Sequence, residues 1–119
     1  DRIHLTTRVT GAEAMQAFDV LVMPSRYEAM SYVMLEAAAA GLPMILADVG
    51  GASTVLQPGQ NGLLVANSDK PSELADAMLR CIEPHVLLPM RTAAADRKAL
   101  YSLDAMIDQT EDLYRRLLP

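Results

Sequence analysis

Apolar residues are distributed along this chain in two rhythms. Three stretches are continuously apolar and rich in strand formers: DVLVMPS from Asp19, PMILAD from Pro43 and LLV from Leu63. Pro24 ends the first, because proline cannot continue a hydrogen-bonded ladder, and PGQNG marks a turn just before the third. A further short strand is expected at Ile3 to Leu5. Elsewhere the apolar positions recur at helical spacing. TGAEAMQAF reads as a short helix with Thr10 as its cap, and SYVMLEAAAAG has a start signal in Ser31 and a stop signal in Gly41. A short helix is expected around Ser53 to Leu56. Continuously apolar strands separated by helices are what a parallel sheet covered on both faces requires, so the expected class is α/β, with about four strands flanked by helices.

After residue 66 the pattern is helical throughout. PSELADAMLRCI opens on a proline suited to a first turn, and HVLLPMRTAAADRKAL follows with Pro89 near its start. The last helix begins after Ser102 and carries Leu103, Met106, Ile107, Thr110, Leu113, Tyr114 and Leu117 on one stripe, which reads as a packing face. The expectation is one domain over residues 1–119, with a parallel core over 1–66 and a helical part over 70–119. Its 119 residues, 51% of them hydrophobic, suffice for one modest core and not for two.

Charge and composition remove several function classes. The net charge is -5, and the basic residues are scattered except for Arg115 and Arg116. With neither a basic stripe nor stacking aromatics, no nucleic-acid partner is expected. The single cysteine, Cys81, has no His or Cys at ligand spacing and reads as helix core. His4 and His85 stand apart from any nucleophile or acidic partner, and no metal is expected. No apolar run approaches the roughly eighteen residues of a membrane span, and the start lacks the order of a secretory signal, so a cytoplasmic protein is expected. The absence of an initial Met suggests a piece of a longer protein.

In a parallel sheet, ligands gather beyond the carboxyl ends of the strands. TTRVT, SRYEAMS and ADVGGAS fall there. Glu36, inside the apolar helix, shares a stripe with Tyr32, Val33 and Ala40 and is expected to be buried. A buried carboxylate is costly unless hydrogen-bonded, so it either ties down loop amides or holds a ligand. Glu28 precedes the helix. Even on one continuous helix the two carboxylates would stand about 12 Å apart, too far to share a proton. They therefore serve different parts of one ligand or separate purposes. The helix start between them attracts anions such as a diphosphate. A ligand with phosphates in the middle and hydroxyls at both ends is a nucleotide-sugar. Gly50 and Gly51 form either a plain turn or a place where a ligand approaches the backbone.

The order DVLVMPSRYEAMSYVMLEAAAAGLPMILADVGGASTVLQPGQNGLLV resembles the C-terminal, nucleotide-sugar-binding domain of the retaining family 4 glycosyltransferases, whose fold is GT-B and whose domain is Rossmann-like. The resemblance runs motif by motif from Asp1 to Asp69. It implies that Glu28 approaches the donor-sugar hydroxyls as the catalytic residue and that Glu36 hydrogen-bonds the ribose. It also implies that the amides of Ala29, Met30, Ser31 and Tyr32 meet the diphosphate and sugar, that the loop with Arg8 lies beside the nucleobase, and that Gly50 and Gly51 supply loop contacts. Ala29 and Ser31 stand where many relatives have glycine, and Thr54 where many have glutamate.

The implied reaction is transfer of a sugar from a nucleoside diphosphate to an acceptor hydroxyl with retention of configuration, without a metal or other cofactor. The family's cationic diphosphate residues and acceptor domain are not in this chain, so a fragment inactive by itself is expected, with the acceptor glycan or lipid-linked sugar bound by an N-terminal domain. The setting implied is bacterial polysaccharide or glycan assembly, in the cytoplasm or peripherally at the inner membrane face. A sheet edge left open would favour self-association. The alternative is a non-catalytic binding or assembly module keeping only the fold.

Overall fold

The computed structural model describes residues 2–118. Three strands, β1 (Leu21–Met23), β2 (Met44–Ala47) and β3 (Gly62–Val65), form a parallel sheet in the order β1-β2-β3. Leu21 is in register with Met44, and Met44 with Gly62. All four residues of β2 are buried, as the central strand of a sheet covered on both faces must be. Its side chains divide with the pleat. Met44 and Leu46 join Met15, Met34, Ala37 and Val55 on one face, while Ile45 joins Leu63, Cys81 and Met90 on the other.

The first face is covered by α1 (Gly11–Met15), α2 (Tyr32–Ala40) and α3 (Ala52–Val55). The second is covered by α4 (Pro71–Cys81) and α5 (Pro84–Arg97). A short 3-10 turn at Lys98–Tyr101 leads into α6 (Leu103–Leu117). The Tyr101 hydroxyl donates to the Val55 carbonyl at 3.3 Å, which ties that turn back to the end of α3.

Four expectations need correction. The sheet has three strands among the described residues, not about four. Ile3 to Leu5 is irregular and solvent-exposed, because a strand exists only where a neighbour takes its amides and carbonyls, and among the described residues none pairs with this segment. The stripe on α6 is not packed: Leu103, Met106, Ile107, Leu113, Tyr114 and Leu117 are all exposed, since the helix runs on past the body it joins at Lys98–Tyr101. Pro89 lies inside α5 rather than close to its start, because the helix is nucleated earlier, at Pro84. Among the described residues no helix is long and apolar enough to cross a membrane.

Candidate functional site

The site is organised by α2. Ser31, in extended conformation, caps it by accepting the Val33 amide on Oγ at 3.2 Å. The first helical bond is from the Leu35 amide to the Ser31 carbonyl, also 3.2 Å. The amides of Tyr32, Val33 and Met34 thus precede the ladder and form the positive end of the helix dipole. At the other end Gly41 takes φ 72° and turns its amide onto the Ala37 and Ala38 carbonyls. A side chain there would also press on Ala95 Cα at 3.1 Å, so the glycine serves the packing of α2 on α5 as well as the cap.

α2 buries Met34, Ala37 and Ala38. Glu36 lies on another face and is exposed, with Tyr32 and Val33 beside it at 83% and 40% exposure. The expectation of a buried Glu36 is therefore overturned. The helix is apolar nearly all round, so periodicity places Glu36 on a stripe without saying which stripe meets the sheet. In the fold that stripe faces outward between two grooves. One, of about 440 Å³, runs along α1 and reaches Lys98; the other, of about 560 Å³, runs along Tyr101, Leu103 and Met106. Glu36 borders both.

The Glu36 carboxylate also stands over the start of α1, where a Cβ on Gly11 would lie 3.2 Å from its Oε2. That start is fixed by a capping box: the Glu13 amide donates to Thr10 Oγ1 at 3.3 Å, and the Thr10 amide donates to Glu13 Oε2 at 2.9 Å. The exposed loop carrying Arg8 enters α1 through this cap, so the fold brings the Arg8 loop to the side of α2 that bears Glu36.

Glu28 is half-buried in the irregular segment between β1 and α2, next to Tyr27 at 92% exposure. Ala29, Met30 and Tyr32 are exposed, and Ser31 is buried at the cap. Neighbouring loops hold the segment on two sides. Asn67 Nδ2 donates to the Arg26 carbonyl at 3.0 Å, and Arg26 pairs with Asp69. From the other side the Gly51 amide donates to the Ala29 carbonyl. Both members of the ion pair are largely solvated, so its contribution to stability is small, below about 1 kcal/mol.

Sequence reasoning missed Arg26, Asn67 and Asp69. The signal was present, since ANSDK follows β3 and the same rule about strand ends applies to it. Arg26 and Lys70 line a cleft of about 200 Å³ at the ends of all three strands. Among the described residues the carboxylates of Glu28 and Glu36 have no hydrogen-bond or salt-bridge partner, and no group of three or more His, Cys, Asp or Glu is placed to hold a metal. Two unpaired acceptors thus flank a helix N-terminus, an arrangement that can take hydroxyl donors on either side of an anion.

The family model for glycosyl transferases group 1 matches residues 1–84. Among curated proteins, a D-inositol 3-phosphate glycosyltransferase of Nocardioides sp. is 39% identical over 84% of this chain and 22% of its own length. The alpha-D-kanosaminyltransferase of Streptomyces kanamyceticus is 35% identical over 83% of the chain and 26% of its own. The chain thus spans about a quarter of the length of the curated relatives it matches. Among solved structures, the sucrose-phosphate synthase of Thermosynechococcus elongatus superposes with a TM-score of 0.75 at 34% identity, covering 87% of this chain and 26% of that one. Anabaena HepE, solved in complex with UDP, gives a TM-score of 0.70 at 28% identity, covering 89% of this chain and 29% of that one.

Proposed function

Since the chain belongs to the glycosyl transferases group 1 family, we propose that it is the donor-binding part of a glycosyltransferase that moves a sugar from a nucleoside diphosphate to an acceptor hydroxyl with retention of configuration. The observation that carries this reading is the pair of unpartnered carboxylates, Glu28 and Glu36, on either side of the α2 N-terminus. Glu36, exposed beside the start of α1, accepts from the ribose hydroxyls, and the Arg8 loop lies on the nucleobase side. The amides from Ala29 to Tyr32 receive the diphosphate, where the helix dipole favours negative charge. Glu28 accepts from hydroxyls of the donor sugar and acts on the reacting centre by positioning and by charge.

The leaving diphosphate needs positive charge to stabilise it, and in this reading helix dipole and basic side chains supply that without a metal. The acceptor, a glycan or a lipid-linked sugar, is held by a further domain, and the setting is polysaccharide or glycan assembly at the cytoplasmic side. Because a structural neighbour was solved with UDP and with UDP-glucose, a uridine nucleotide is the first donor to try.

The experiment is an NMR titration of the isotope-labelled chain with UDP-, GDP- and ADP-glucose. Millimolar binding, worth about 4 kcal/mol, is enough to see. The expected result is saturable shifts over residues 28–36 and around Arg8, strongest for one base. Silence with every nucleotide would instead favour a non-catalytic module that keeps the fold alone.

A further inference from the structure

We propose that Gly50, Gly51 and Asn67 are positioning residues that seat the Glu28 segment, so that the Gly-Gly pair serves this chain's own loop rather than the donor. The proposal rests on the reading of Glu28 as the donor-sugar residue.

Three loops, one after each strand, meet here. Gly50 adopts φ 40°, in the left-handed region, and a Cβ on it would overlap the Glu28 carbonyl oxygen and stand 2.5 Å from that of Ala29. At Gly51 a Cβ would stand 2.8 Å from the Ala29 oxygen and 2.6 Å from Met30 Cε. The methionine end could swing away. The carbonyls of Glu28 and Ala29 are backbone, and they can move only if the segment bearing the carboxylate moves with them.

Gly51 is buried, its amide is committed to the Ala29 carbonyl and its carbonyl accepts the Thr54 amide, so its amide is not free to meet a ligand. On the opposite side Asn67 Nδ2 holds the Arg26 carbonyl at 3.0 Å, two residues before Glu28. The loops after β2 and β3 thus grip the loop after β1 on both flanks of its carboxylate. A displacement of about 1 Å in a group that orients substrate can cost a hundredfold in rate, which makes such a grip functionally sensitive.

The test uses this chain with Gly50→Ala, Asn67→Ala and Glu28→Gln, and two probes, UDP-glucose and UMP. UMP lacks the donor sugar and the β-phosphate and reports the ribose side with a single phosphate. The expected result is slow exchange of the Gly51 amide in the parent and shifts at residues 28–30 in both seat variants. UDP-glucose should bind about fivefold more weakly or worse in both, while UMP is unchanged within about twofold. A merely structural role would weaken both probes together, and that outcome overturns the proposal.

So does unchanged UDP-glucose affinity in the seat variants when Glu28→Gln weakens it. If Glu28→Gln has no effect either, or the parent binds neither probe, the donor-sugar reading itself fails. Asn67→Ala alters an exposed side chain, so it decides the matter if Gly50→Ala does not fold. Fast exchange of the Gly51 amide in the folded parent would overturn the seat whatever the ligands do.

Discussion

Cys81 closes α4 with its thiol buried among Ile45, Leu63 and Met90. Burial pushes the thiol above its ordinary pKa, because the thiolate would lose its hydration. At pH 8 the folded chain is therefore expected to react slowly with a maleimide and the urea-unfolded chain quickly; a fast native reaction would mean that the α4–α5 corner opens. Its burial was legible from ADAMLRCI, where an isolated cysteine sits at helical spacing among apolar residues. The capping roles of Thr10, Ser31 and Gly41 were legible for a similar reason, since each acts within three or four residues of itself. Glu36 was not. Its stripe follows from spacing, but which stripe of an alanine-rich helix faces the sheet depends on contacts made from elsewhere in the chain. The grip of Gly51 on Ala29 and of Asn67 on Arg26 joins residues too far apart in sequence for any local pattern to carry.

Among the elements, α1 is a helix of only five residues, held at its entry by the reciprocal bonds of Thr10 and Glu13. The Thr10 amide, and after it the Thr10 hydroxyl, hold the Glu13 carboxyl below the usual range. A carboxylate whose folded pKa is lowered stabilises the fold above its unfolded value, and that contribution disappears as pH falls through the lowered value. The Glu13 side-chain resonance is expected to titrate at lower pH than an ordinary glutamate, α1 to loosen only below that point, and Thr10→Ala to raise the midpoint only part of the way, since alanine keeps the amide and loses the hydroxyl. An unchanged midpoint in the variant would show that the hydroxyl has no part in setting it. The strands were legible because all three are apolar on both sides, as a covered parallel sheet demands. Ile3 to Leu5 has the composition of a strand but no neighbour, and composition does not supply one.

The whole molecule exposes more surface than its size calls for. Its 8549 Å² compares with about 6300 Å² for a compact monomer of its mass. Its radius of gyration of 15.7 Å compares with about 13.5 Å. α6 contributes exposed Leu103, Met106, Ile107, Leu113, Tyr114 and Leu117, and the molecule measures 59 Å along its long axis against 30 Å across. The stripe on α6 was read correctly as amphipathic and wrongly as packed, because periodicity reports that a face can be covered and not what covers it. Under the proposed function, such faces belong beside the rest of a glycosyltransferase about four times as long. The central claim, that Glu36 holds the ribose of a nucleotide donor, is tested most directly by comparing UDP with 2′,3′-dideoxyuridine diphosphate on the parent chain and on Glu36→Gln. The parent should prefer UDP by about tenfold, the worth of hydrogen bonds to a charged acceptor, and the variant should bind both nucleotides alike and weakly. A variant that still favoured UDP as strongly as the parent would contradict the claim.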